Sequence, residues 1–179
     1  WCVNFLLPDV SEAIGIPPTP LGGWMVSLSD DLAKVNGLDL AVATVYSGSE
    51  LKKLKIYNIT YYLIPGGSKA MLQKADEKCK SFWLEVVKDF RPNMIHLHGT
   101  EFSHGLALLE AYPDVPAVVS IQGLVGICEK HYYAGMEFSD VFLRPSLRDI
   151  IKLDPLWNWR RSFQKRAVFE REILKKVNH

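Results

Sequence analysis

An α/β fold built on a parallel sheet is what this sequence predicts, and three observations predict it. Short, nearly continuous apolar runs of strand length recur along the chain, as in "LDLAVATVY", "MIHLH" and "PAVVSIQG". Between them lie segments whose apolar residues fall three and four apart, the period of a helix face. Strands that are apolar on both faces need cover on both faces, and strands separated by helices pair in parallel, so a parallel sheet with helices on each side is the economical arrangement.

The bulk properties agree with one folded unit. A chain of 179 residues, 48% hydrophobic and without low-complexity stretches, has enough apolar surface to build a core without disulfides or metals. The formal net charge of +1 argues against a general nucleic-acid binder. Cys2, Cys79 and Cys128 are odd in number, far apart and without a CxxC pair, which suits free, packed thiols in a reducing compartment. No apolar run approaches the roughly 20 residues that span a bilayer, and no signal sequence opens the chain, so the expectation is a cytoplasmic protein.

The elements follow in order. "WCVNFLLP" reads as a buried first strand closed by Pro8, followed by a long loop. Gly22 and Gly23 open a helix whose stripe is Trp24, Leu28, Leu32 and Val35, ending near Gly37. "LDLAVATVY" is the second strand, and "LKKLKIYNITYYLIPGG" a hairpin turning at Tyr57 and Asn58 and ending at Pro65. From 69 to 90, Leu72, Ala75, Cys79, Phe82, Trp83, Val86 and Phe90 mark a helix that "RPN" stops. "MIHLH" is a strand, "SHGLALLEAY" a helix capped by Ser103, and "PAVVSIQG" another strand. After residue 123 the pattern becomes a helical tail, "SLRDIIKL" and then "WNWRRSFQKRAVFEREILKKVNH". The expected layer structure is therefore Rossmann-like, a single domain over 1–179 with a helical C-terminal tail.

In such a sheet, functional groups gather in the loops beyond the carboxyl ends of the strands. Gly22 and Gly23, His98 to Ser103, and Gln122 and Gly123 fall there. The glycine pair can bring backbone N–H groups close to a phosphate, or simply shape a turn, since neither a GxGxxG nor a GxxxxGK[ST] pattern is present. His96 and His98 are two apart and face the same way in a strand, a spacing that can hold zinc. A metal needs a third ligand, and only Glu101, His104 and His131 stand nearby, so a metal is not expected. His96 reads as a hydrogen-bonded core residue, His98 as either core or site, and His104 as a surface or capping group. Glu101 suits a base or hydroxyl ligand, or equally a dipole-stabilising acid before a helix. "EKHYYAG" offers His131 with flanking tyrosines, suited to sugar stacking or to loop packing.

Taken together, "GGW", "RPNMIHLHGTE", "PAVVSIQGL", "KHYYAG" and the basic closing helix resemble the amino-terminal half of a GT-B glycosyltransferase, of the family-4 type common in bacterial polysaccharide biosynthesis. "PNMIHLHG" is similar to that family's "PDxIHxHG" strand, and "PAVVSIQG" occupies the place of its "PxVxTxHD" or "HG" strand. The resemblance covers essentially the entire chain. It implies a transferase, of retaining type, that moves a sugar from a nucleotide sugar to a saccharide or lipid-linked acceptor without a metal or other cofactor. The nucleotide-sugar-binding second domain, with its paired glutamates eight apart, is absent from this chain; Glu77 and Glu85 share that spacing only by lying on one amphipathic helix. The resemblance implies catalytic roles for His98 and Glu101 and substrate-binding roles for Gly22, Gly23, Gln122, Gly123 and His131. Where the family often has His, this chain has Gln122, whose amide bonds a hydroxyl but cannot carry a proton.

A fragment of this kind should transfer no sugar alone, and its end on "KKVNH" fits a chain that continues into a further strand and linker. Residues 157 to 177 carry Arg160, Arg161, Lys165, Arg166, Arg171, Lys175 and Lys176 against Glu170 and Glu172. With Phe163, Phe169, Ile173, Leu174 and Val177 as an apolar stripe, this is a helix packed on its own domain, or a peripheral contact with anionic lipid at the inner membrane face. The competing functions are a saccharide- or phosphate-binding module without chemistry and a small metal hydrolase built on the HxH pair.

Overall fold

The computed structural model describes residues 1–20, 22–67, 71–73, 77–139, 141 and 156–177. Its strands are β1 (Leu40–Tyr46), β2 (Lys52–Ile56), β3 (Ile59–Pro65), β4 (Ile95–His98) and β5 (Ala117–Ser120). Its longer helical segments are α1 (Pro8–Ala13), α2 (Gly23–Leu32), α3 (Glu77–Phe90), α4 (Ser103–Ala111), α5 (Val125–Lys130) and α6 (Leu156–Lys176).

Two sheets, β2-β3-β1 and β4-β5, are joined by the first residues of the chain. The Cys2 amide donates to the His96 carbonyl at 2.9 Å and the His98 amide donates back to Cys2 at 2.9 Å. On the other side the Val3 amide donates to Ala43 at 3.0 Å, and the Ala43 amide donates to Trp1 at 2.9 Å. Residues 1–3 thus run parallel to both neighbours, and the order across the molecule is β2, β3, β1, residues 1–3, β4, β5. β1 and β3, and β4 and β5, pair in parallel, while β2 is an antiparallel edge. That edge carries Lys52, Lys53 and Lys55, whose charge and hydration discourage pairing with another chain.

Every residue of β1 is buried because both of its faces are covered. Ala41, Ala43 and Val45 point into one core with Tyr62, Ile64, Trp83 and Val86, which α3 and α4 cover. Leu40, Val42 and Tyr46 point into the other with Tyr61, Leu63, Val10 and Met25, which α1 and α2 cover. The predicted α/β class, the parallel pairing and the hairpin over Tyr57 and Asn58 are all present.

Several expectations need correction. The run "WCVNFLLP" does not stay extended to Pro8: only residues 1–3 pair, and Pro8 opens α1, where its missing N–H costs nothing. Of the α2 stripe only Leu32 packs against the core. Met25 and Ser29 are the buried positions, whereas Trp24, Leu28 and Val35 are exposed. Among the described residues, the helix expected from 69 begins at Glu77; 71–73 form a turn. Ser103 is not the cap of α4; its amide and its hydroxyl both donate to the Met71 carbonyl, at 3.0 Å each, which ties that turn to the helix start. The expected segment "SLRDIIKL" lies outside the described residues.

His104 is likewise not a surface group. It is 2% exposed, and its Nε2–H donates to the Val3 carbonyl at 3.1 Å, an oxygen that also accepts from the Thr44 hydroxyl at 2.8 Å. A carbonyl can only accept, so Nε2 carries a proton. Burial lowers its pKa from 6.5 to about 4, against a smaller opposing effect of the Val3 bond. A base with a depressed folded pKa leaves the unfolded chain richer in protons at low pH. Stability from this group is therefore complete above about pH 6.5 and is lost as the pH falls toward about 4, by on the order of 3 kcal/mol. Denaturant unfolding measured from pH 7 to pH 4 should show this decline, and His104→Leu should make it shallower, leaving the share of His98, whose pKa burial also depresses; an unchanged slope in that variant would assign the acid limb elsewhere.

Candidate functional site

The loops that leave residues 1–3 and β4 meet at the carboxyl end of the sheet. Asn4 follows the paired residues directly, and its side-chain amide donates to Glu101 Oε1 at 3.0 Å. The Thr100 amide donates to the other Glu101 oxygen at 2.9 Å, so both carboxylate oxygens are engaged. Gly99 makes this possible. Its φ is 103°, and a Cβ there would stand 2.5 Å from the Asn4 amide nitrogen and 2.6 Å from Glu101 Oε2. The Gly99 amide donates to Ser120 at 3.0 Å, which brings the end of β5 to the same place.

His96 and His98 project together from β4 onto the α2 side, their ring centroids 4.0 Å apart. His96 Nε2 lies 2.8 Å from the Ser120 hydroxyl, so His96 is a hydrogen-bonded, half-buried residue. His98 is fully buried, and neither ring nitrogen has a hydrogen-bond partner among the described residues. The Trp1 ring stands 4.5 Å from it, and the Trp24 ring 5.3 Å. Burial, reinforced by the neighbouring His96, lowers the His98 pKa to about 3, so the ring stays neutral across the physiological range.

Gly22 has φ 77° and is the residue before α2; a Cβ there would overlap the Phe5 ring at 1.9 Å. Gly23 is exposed with open space around it. The glycine pair, His98 and Glu101 therefore gather around the loop of Asn4 and Phe5. Gln122 and Gly123 are exposed, two and three residues beyond Ser120. His131 stands apart from this group. It is the exposed C-cap residue of α5, while its tyrosine neighbours turn toward α6: the Tyr132 ring lies 5.2 Å from Phe163, and Arg160 lies over Tyr133.

Sequence reading missed Glu170. It is 5% exposed in the middle of the basic helix α6, and its oxygens accept from the Val125 amide at 2.8 Å and the Gly126 amide at 2.9 Å. The Thr100 hydroxyl reaches it in a long contact of 3.5 Å. One carboxylate thus holds the start of α5, just after Gln122 and Gly123, and touches the loop after β4. Its position three residues from both Ala167 and Ile173, on the buried face, was the available signal. The other acid–base pattern of α6 also divides by face. Arg160 bonds Glu129 at 3.1 Å, and Arg166 lies between the Phe102 and Phe163 rings, whereas Arg161, Lys165 and Arg171 are exposed.

A cavity of about 530 Å³ lies at the amino-terminal end of the strands, lined by Leu40, Ile95, Phe90 and Trp83 among others, and it reaches Trp1 and His96, the rings that stand against His98. Among the described residues no group of three or more His, Cys, Asp or Glu side chains is placed to share a metal ion, and no helix is long and apolar enough to cross a membrane. Comparison with known proteins finds no matching family model, no matching curated protein and no matching solved structure.

The Glu170 arrangement generates a prediction. In Glu170→Gln one carboxylate oxygen becomes an NH2 group that faces a backbone N–H, leaving a buried donor unpaired. The variant should lose about 1–3 kcal/mol in denaturant unfolding, and the amides of Val125 and Gly126 should exchange faster with solvent. Wild-type stability and protection in this variant would show that the contact holds nothing.

Proposed function

We propose that this chain is the acceptor-binding half of a sugar-transferring enzyme of GT-B type, with a Rossmann-like sheet, whose donor half lies outside the chain. The observation that supports this reading is the order of the sheet. From residues 1–3 the chain moves to β1 and β3 on one side and later to β4 and β5 on the other, so successive connections leave in opposite directions. A crevice opens at such a reversal, beyond the carboxyl ends of the strands, and it is the usual ligand site of open α/β sheets. Asn4, His98 and Glu101 stand at that reversal. They are neutral or acidic hydrogen-bonding groups, which suits a hydroxyl-rich, uncharged acceptor. Donor and acceptor meet only when a second wall is present, so the isolated chain holds one partner and performs no transfer.

A second reading, a saccharide-binding module without chemistry, is favoured by a specific observation. Both Glu101 oxygens already accept hydrogen bonds, and His98 is shielded from solvent. Groups so engaged are better placed to orient a hydroxyl than to move a proton.

Turnover with a panel of nucleotide sugars separates the two. The protein carrying both halves should transfer sugar, the isolated chain should not, and Glu101→Ala in the two-half protein should lower kcat by about 100-fold, a larger effect than the stability lost with its bonds to Asn4 and Thr100. Saccharide binding with no turnover in the longer protein would select the second reading. Sugar transfer by the isolated chain would contradict the first.

A further inference from the structure

His98 and Trp24 are each in the environment that suits the other. His98 is a polar ring, fully buried, with two nitrogens that meet no donor or acceptor among the described residues. Buried polar groups are nearly always paired, and an exception calls for an explanation. Trp24 is an apolar ring, 50% exposed, lying across it at a tilt of 47°. The indole is the second residue of α2 and follows Gly22, in the left-handed region at φ 77°, and Gly23, which has open space around it. Met25, on the next position, is 0% exposed, so the two side chains leave the helix on opposite sides of its surface, one into the core and one toward solvent.

We infer that Trp24 is the stacking wall of a saccharide subsite and that His98 is the hydroxyl partner beneath it. This rests on the acceptor-binding reading and names the residue that would select a pyranose ring. When the indole turns from His98 onto the apolar face of a sugar ring, its exposed surface is covered and the part of the imidazole it overlies is uncovered, while the Trp1 and His96 rings stay against His98. A neutral imidazole offers one donor and one acceptor, and a sugar hydroxyl offers the same pair in complement. An anion is poorly served here. His98 is neutral, and the neighbouring Glu101 carboxylate repels phosphate.

The test uses the 179-residue chain with methyl glucoside, methyl galactoside and methyl mannoside as probes and inorganic phosphate as the control. Long-range proton–nitrogen spectra report the His98 ring nitrogens, and the indole N–H signal reports Trp24. At least one glycoside should shift both, and phosphate should shift neither. Trp24→Ala should weaken that glycoside by about tenfold, and Trp24→Phe, which keeps an aromatic face, by much less. Glycoside binding that is indifferent to both substitutions overturns this inference and leaves the acceptor-binding reading standing. No glycoside binding by the unaltered chain overturns the two together, and a phosphate-induced shift of His98 would overturn the inference by making the subsite an anion site.

Discussion

The pairing of residues 1–3 on both sides is the interaction on which the remaining structure depends. Without the bonds from Cys2 and Val3 there are two small sheets, one of three strands and one of two, each with an open edge. With them there is one sheet and two continuous cores. The joint is reinforced at a single atom, because the Val3 carbonyl accepts from both Thr44 and His104. His104 belongs to α4, so the same atom ties the sheet to the helix that follows β4. A neutral, deeply buried imidazole is thus part of the frame, and its protonation is opposed by the fold.

The joint also determines where the polar residues of the candidate site fall. Asn4 is the first residue beyond the pairing and therefore emerges beside the loop after β4, where Glu101 receives it across Gly99. Glu170 works from outside the sheet. By accepting from two backbone amides of α5 and touching Thr100, it links the closing helix to the loops after both β4 and β5. Net stabilisation from each such bond is modest, but leaving a buried partner unmet is costly, and this asymmetry explains why these residues specify one arrangement.

The periodicity of the sequence made the strands and the main helices legible. β1 and the hairpin of β2 and β3 are long apolar or alternating runs, and α3 has apolar residues at helical spacing over its full length. What could not be read was which of two apolar faces turns inward. In α2 Trp24 and Leu28 form the outer face, while Met25 and Ser29 are buried against the side chains of β1 and β3. α1 is hidden in the sequence because a proline closing an apolar run reads as a stop, whereas Pro8 starts a helix. His104 and Glu170 were hidden because charge and polarity argue for the surface in a single sequence, whereas here a distant backbone group supplies the partner: Val3 is 101 positions from His104, and Val125 is 45 from Glu170. At the site, the sequence picked out His98 and Glu101, but the residues that contact them, Trp24 and Asn4, come from another part of the chain.

Hydrogen exchange at individual backbone amides tests the central role of residues 1–3 most directly. The Cys2, Val3, Ala43 and His98 amides all donate within this joint. The account predicts that they exchange only through global unfolding, with protection equal to that of Val42 and Leu63 in the middle of β1 and β3, because breaking the joint exposes both cores at once. Fast exchange at Cys2 and His98, with Val42 and Leu63 still protected, would mean that the two sheets hold independently and that the joint is a consequence of the fold and not its basis.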